Sequence, residues 1–228
     1  MPTIAFVSPK GGAGKTTSAL VLATQLAKRT KVAVIDADPN HPIHAWSVGG
    51  NMPENMTVYA DVHEENIADK IDEVAAENPF VIVDLEGTAA KIVVMAVMRA
   101  DFVIIPTQGS ELDAEQAGRA LHVVHQQEKS MRRVHAEYKL PYRVLLTRTN
   151  SAIRARTLAH IHKSLKEAGI PVFQSEMNER EAFKAMFSFR QPLEGLDRSA
   201  VPNLDKAIAN AEEFASEVIA TLRTSQGG

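Results

Sequence analysis

The segment Pro9-Lys10-Gly11-Gly12-Ala13-Gly14-Lys15-Thr16-Thr17 constrains this chain more than any other. It follows a short apolar run, Thr3 to Ser8, that reads as a buried strand. It opens residues 16–29, where Leu20, Ala23, Leu26 and Ala27 recur at helical spacing. A strand, a glycine-rich turn ending in Gly-Lys-Thr and a helix, in that order, form a phosphate-binding loop. The glycines let backbone N–H groups converge on anionic oxygens with no Cβ in the way. The helix N-terminus adds its partial positive charge. Gly11, Gly12, Ala13, Gly14, Lys15, Thr16 and Thr17 are therefore the expected cradle for a nucleotide. Lys15 can reach the outer phosphates, and the Thr16 hydroxyl can ligate Mg²⁺.

The rest of the chain repeats the strand-then-helix rhythm. Apolar runs at Lys31–Asp36, Phe80–Asp84, Phe102–Pro106 and Tyr142–Thr147 read as buried strands, with shorter ones at Val58–Ala60 and Val172–Phe173. Helices are expected over residues 64–78, 88–100, 111–136 and 154–168. Ser110 is the expected N-cap of the third of these. Residues 178–200 read as a short helix and a loop. Pro202 fits the first turn of a last helix running to about residue 223. Strands without polar alternation, separated by helices, indicate an α/β fold: a doubly wound, mostly parallel sheet with helices on both faces. Such sheets bind ligands at the carboxyl ends of their strands. With no internal repeat or linker, 228 residues are expected to form a single phosphate-loop domain over 1–228. The first strand begins at residue 3, so no separate N-terminal helix-turn-helix domain is expected.

Carboxylates stand at two strand ends. Asp84 closes Phe-Val-Ile-Val-Asp, the position from which a carboxylate holds Mg²⁺ through water. Asp36-Ala37-Asp38-Pro39-Asn40 closes another strand. The loop itself departs from the ordinary G-x-x-x-x-G-K-[ST] pattern, because Pro9 replaces the first glycine and an extra lysine, Lys10, follows it.

Lys-Gly-Gly-Ala-Gly-Lys-Thr-Thr resembles the deviant Walker A motif of the ParA/MinD superfamily. That resemblance implies a slow, partner-stimulated ATPase using ATP and Mg²⁺. It implies that Lys10 reaches across a sandwich homodimer to phosphates held by the partner chain. Asp36-Ala37-Asp38-Pro39-Asn40 resembles the family's D-x-D-P-Q switch segment, which implies that Asp38 positions the attacking water and that Asp36 lies near the Mg²⁺ shell. Leu145-Leu146-Thr147-Arg148 resembles the strand that leads to the adenine pocket, so Arg148 is a candidate nucleotide contact. Ile105-Pro106-Thr107 through Ala117-Gly118 is similar to a strand-to-helix junction of small plasmid ParA proteins. Met177 through Phe183 resembles a late segment of VirC-type ATPases. After Asp84 the chain reads Leu85-Glu86-Gly87-Thr88, where the family usually has a small or proline-rich run.

The net charge of −3 hides an asymmetry. Residues 1–128 carry a net −8, residues 129–166 a net +9, and residues 167–228 a net −4. Lys129, Arg132, Arg133, Lys139, Arg143, Arg148, Arg154, Arg156, Lys163 and Lys166 make up the basic block. Such a block neutralises phosphates and binds duplex DNA without reading its sequence. Arg154, Arg156, Lys163 and Lys166 are the candidate DNA contacts, and the ordinary alternative is a solvated face. The resemblance favours non-specific DNA and a ParB-like or centromere-binding partner that stimulates turnover. A scaffold ATPase of the VirC kind, recruiting proteins rather than DNA, is the alternative.

The other features narrow the class. The chain has no cysteine, which excludes thiolate metal sites, and with them a reductase like the nitrogenase iron protein. No apolar run approaches the roughly 18 residues that span a bilayer, and no secretory signal opens the chain. A cytoplasmic, nucleoid-associated protein without a membrane partner is expected. His122 with His125, and His160 with His162, read as surface histidines. Trp46, Pro42 and Ile43 are expected to anchor by packing the segment after the switch. In the last helix Ile208, Ala211, Phe214, Ala215, Val218 and Leu222 are expected to form the core stripe, and Glu212, Glu213 and Glu217 an acidic polar face.

Overall fold

In a computed structural model of the protein, residues 1–87, 91–108, 111–149 and 155–226 are described, with the backbone alone for 111–117, 155–158 and 226. The strands are β1 (Thr3–Phe6), β2 (Val32–Ala37), β3 (Met56–Tyr59), β4 (Phe80–Leu85), β5 (Phe102–Gln108), β6 (Tyr142–Thr149) and β7 (Met177–Asn178). The helices are α1 (Lys15–Ala27), α2 (Pro42–Ser47), α3 (Ile67–Glu77), α4 (Lys91–Val97), α5 (Glu111–Met131), α6 (Ala155–Glu167), α7 (Glu181–Phe189) and α8 (Leu204–Gln226). Among the described residues these strands form one sheet in the order β3-β2-β4-β1-β5-β6-β7, and every pairing is parallel.

The continuous apolar strands are explained by burial on both faces. Successive residues point to opposite sides of a strand. Ile4 and Phe6 pack with α1, α7 and α8, whereas Ala5 and Val7 pack with α3, α4 and α5. Each of these four residues is fully buried. The chain after β1 turns to one side of the sheet, through β2 and β3, and after β4 crosses to the other side, through β5 to β7. That reversal opens a crevice at the carboxyl end of β1, where the glycine-rich loop lies.

Several expectations need correction. The expected strand Val172–Phe173 is reduced to an isolated bridge between Val144 and Val172. The seventh strand is instead Met177–Asn178, set against β6 with a bulge between Thr147 and Thr149. The short helix α2 had no counterpart in the sequence reading. Pro202 precedes the last helix rather than opening it: α8 starts at Leu204, after a turn with Asn203 at φ 56°. Ser110 lies outside the described residues.

Glu217 is also relocated. It sits among the polar residues of α8, yet it turns inward against the segment before β7. Its carboxylate accepts hydrogen bonds from the backbone N–H groups of Gln174 and Ser175, each at 2.8 Å, and from the Ser175 hydroxyl at 2.7 Å. Arg143, one of the basic block, donates to it at 3.3 Å and lies over the Phe173 ring. Glu217→Ala would leave those donors half-buried and unpaired. The expected cost is about 2–3 kcal/mol, or roughly 5–10 °C in Tm, which a thermal melt will read. Glu217→Gln keeps one acceptor and should lose less.

Candidate nucleotide site

The glycine-rich loop is held in shape from two neighbouring strands. Gly14 has φ 94° and directly precedes α1, and a Cβ there would lie 3.3 Å from the Thr147 methyl. Positive φ and close approach together require glycine. Thr147 fixes the same turn by donating its hydroxyl to the Ala13 carbonyl at 2.7 Å. From β5, the Gln108 side chain donates to the Gly12 carbonyl at 2.9 Å. Neither Thr147 nor Gln108 was singled out as a site residue from the sequence, because their partners lie 134 and 96 positions away.

The expected P-loop residues come together as a unit. Lys15 opens α1 and is 8% exposed, so its ammonium is held close to the protein rather than extended into solvent. Thr16 and Thr17 follow in the first turn, partly exposed. Lys10 is half-buried and donates to the Gln108 side-chain oxygen at 3.3 Å.

The strand-end carboxylates meet across the sheet. Asp36 and Asp84 are paired in register on β2 and β4, and both are fully buried. One Asp36 oxygen accepts from the N–H groups of Ile43 and His44, each at 2.8 Å, and so caps the start of α2 from outside the helix. Its other oxygen has no hydrogen-bond partner among the described residues. Neither Asp84 oxygen makes a bond of full geometry there. Burial pushes the Asp84 carboxyl up to about 7, and the Asp36 charge adds to this. The nearby Thr16 hydroxyl and Lys15 ammonium offset it only in part. Burial also raises Asp36, against its bonds to His44 and Ile43. Buried carboxylate oxygens without partners beside a threonine hydroxyl form a donor set suited to a hard divalent cation, reached directly or through water. A cation there would relieve the cost of burying the two charges.

Asp38 stands further out, at the mouth of the crevice. Its Oδ1 accepts from the backbone N–H of Asn40 at 2.8 Å and from the Asn40 side-chain amide at 3.0 Å. Trp46 ties the following helix down, as expected from its packing, and its indole N–H also donates to the Met186 carbonyl at 2.9 Å. Glu86 is exposed, and Gly87 follows it at φ 65°.

Arg148 occupies the bulge of β6 with φ 53°, a left-handed conformation that costs a non-glycine residue of order 1 kcal/mol. Bulges next to sites re-aim side chains. Here the guanidinium is turned to within 3.8 Å of where a Gly12 Cβ would be. Arg148 lines an open cavity of about 530 Å³ with Thr17, Asn178, Arg180, Phe183 and Phe187. The cavity's far wall is braced from α8. Asn210 accepts from the Asn178 N–H at 3.1 Å and donates to the Glu176 carbonyl at 2.6 Å. Asn178 in turn donates to the Thr149 hydroxyl at 2.8 Å and accepts from Arg180 at 2.9 Å. This bracing from the last helix has no local sequence signal.

Two members of the basic block bond within the fold. Arg143 is spent on Glu217, and Arg132 donates to the Tyr138 carbonyl and to Glu128. Lys129, Arg133, Lys139, Lys163 and Lys166 are exposed, with Lys163 3.7 Å from Glu167. Arg154 lies outside the described residues, and Arg156 is described only by its backbone in α6. His122, His125 and His160 are exposed, whereas His162 bonds Glu176 at 3.1 Å. No described helix is long and apolar enough to cross a membrane.

Comparison with known proteins agrees with this geometry. The family model for VirC1 protein matches residues 1–191. The chain is 37% identical over 223 residues to Protein ParA of Rhizobium radiobacter, covering 97% of this chain and 98% of that one. Its fold matches the MinD cell division protein of Aquifex aeolicus, with a TM-score of 0.74, 19% identity and coverage of 96% and 98%. It also matches Cyanothece McdA in an ATP complex, with a TM-score of 0.68, 19% identity and coverage of 93% and 95%. A family match over most of the length, a full-length ParA relative and this phosphate loop lead to one conclusion: the chain belongs to the VirC1 and ParA family.

Proposed function

We propose that this protein is a ParA-type switch whose ATP-bound homodimer holds DNA without sequence preference and lets go on hydrolysis. Its work would be to partition a plasmid or chromosome, or to position another cargo. The observation that carries the reading is the second lysine, Lys10, in a loop that faces two buried, under-bonded carboxylates. The ATP complex of a structural relative supports ATP as the nucleotide. Mg²⁺ supplies charge neutralisation between phosphates and protein when bound, and Thr16, Asp36 and Asp84 would hold it, in part through water.

Each remaining role belongs to a residue of this chain. Gly11 to Thr17 cradle the phosphates with backbone N–H groups, and Lys15 holds the outer ones. Asp38 orients the attacking water, for which its bond from Asn40 must rearrange or be shared. Lys10 of one copy reaches the phosphates held by the other, adding positive charge where negative charge develops. Arg148 sits beside the loop, where it can contact the nucleotide. Arg154, Arg156, Lys163 and Lys166 supply the DNA contacts. The protein would be slow alone and stimulated by a ParB-like or centromere-binding partner, in the cytoplasm on the nucleoid.

Lys10→Ala tests the dimer. By sedimentation velocity with a slowly hydrolysed ATP analogue, the wild-type chain should sediment as a dimer and Lys10→Ala as a monomer. Loss of its charge-assisted bonds corresponds to a roughly 10- to 100-fold weaker association. Equal dimerisation of the two proteins would remove Lys10 from the partner's site. A second reading is favoured by the VirC1 match and by the inward turn of Arg143. In it, the same ATP-driven dimer recruits a protein assembly, and the exposed lysines dock protein rather than DNA.

A further inference from the structure

Gln108 ends β5, half-buried, with its side-chain amide directed at the phosphate loop. Its Nε2 donates to the Gly12 carbonyl at 2.9 Å, and its Oε1 accepts from the Lys10 ammonium at 3.3 Å. The chemistry of the two partners fixes the orientation of the amide. Turned over, it would set an NH₂ against an ammonium and a carbonyl against a carbonyl. One side chain therefore touches both the turn of the nucleotide cradle and the lysine assigned to the partner's nucleotide.

We propose that Gln108 is a positioning residue with two linked tasks. It braces the phosphate loop through Gly12, and it keeps Lys10 folded over its own chain until a second nucleotide-loaded copy draws the lysine away. The inference rests on the dimer reading above. Lys10 has other interactions as well, so Gln108 contributes one part of the hold and its loss shifts the equilibrium without abolishing it. A hold of this kind disfavours early association: the ammonium must exchange its amide partner for phosphate before the dimer closes.

Gln108→Ala removes both contacts. Gln108→Glu removes the donor to Gly12 and gives Lys10 a charged acceptor, which grips it harder. ADP affinity by calorimetry and the dimer dissociation constant at saturating ATP analogue separate the tasks. Gln108→Ala should bind ADP about ten-fold more weakly, the loss expected for one hydrogen bond. Once saturated it should dimerise at least as tightly as wild type. Gln108→Glu should dimerise about ten-fold more weakly than Gln108→Ala. A third comparison uses the melting temperatures of the single and double variants with Lys10→Ala. The difference between the alanine and glutamate variants should shrink when Lys10 is absent, which a brace acting on Gly12 alone would not produce. Unchanged ADP affinity in Gln108→Ala overturns the brace, and equal dimer constants for the two variants overturn the hold. If the wild-type chain does not dimerise with the analogue, the dimer reading itself fails. The melting comparison then decides alone: additive effects of Lys10 and Gln108 overturn the hold, and non-additive ones sustain it.

Discussion

Asp84→Asn is expected to stabilise the nucleotide-free protein at pH 8 and to cut ATP turnover by at least roughly 100-fold, the scale of losing a charge-stabilising group in a transition state. Both effects come from one carboxylate. It is fully buried, its oxygens make no hydrogen bond of full geometry among the described residues, and it lies beside Asp36. Burial raises its pKa from 3.8 to about 7. Between those two values the folded chain holds a proton that the unfolded chain has released. Stability therefore falls as pH rises from about 4 to about 7, and the penalty is complete above 7. Asparagine stays neutral, and the open Asp36 oxygen on the neighbouring strand offers an acceptor for its amide. Its advantage should reach about 1–3 kcal/mol at pH 8, a few degrees in Tm, and fade towards pH 4. Mg²⁺ with nucleotide should reverse the order, stabilising wild type more than the variant. A variant that is less stable than wild type at pH 8 without Mg²⁺ would contradict the assignment.

Lys15→Ala should weaken ATP and ADP binding by about 100-fold, because charge-assisted bonds to phosphate contribute about 1.5–3 kcal/mol each. Lys15 also lowers the Asp84 carboxyl pKa and is the cation that eases its charge. The variant should therefore melt lower than wild type at pH 8, even without nucleotide. Adding Asp84→Asn should restore much of that stability and none of the binding. Calorimetric titration and thermal melts on the two variants separate these effects. Nucleotide affinity close to wild type in Lys15→Ala would exclude it from the phosphate site.

The parts of the fold that were legible in the sequence are those whose cause is local. Ile-Ala-Phe, Val-Ala-Val-Ile and Phe-Val-Ile-Val are strands because both of their faces are covered, and covering both faces leaves a continuous apolar run. The loop was legible because Gly14 must take a positive φ and Lys15 and Thr16 follow it directly. What escaped depends on partners far away in the chain. Helix α2 is only Pro42–Ser47, and its cap is the Asp36 carboxylate rather than a residue at its own N-terminus. Strand β7 has two residues and is secured by Asn210 from α8. Glu217 and Arg143 were read as surface charges from helical spacing and composition, but they face each other across the fold. Gln108 and Thr147 lie in strands whose apolar pattern gave them no distinction, yet both bond the phosphate loop.

An ATP-controlled grip on DNA would show itself in binding to random-sequence duplex DNA. The binding should be measured with ATP, a slowly hydrolysed analogue, ADP and no nucleotide, over a series of salt concentrations. Binding should appear with the triphosphates alone and weaken steeply with salt, as expected for lysines and arginines displacing counterions from phosphates. Arg154→Ala with Arg156→Ala should lower that affinity and flatten the salt slope by about one unit per lost phosphate contact. A dimer that forms with the analogue but leaves DNA unbound at low salt would contradict an ATP-controlled grip, as would equal binding with ADP.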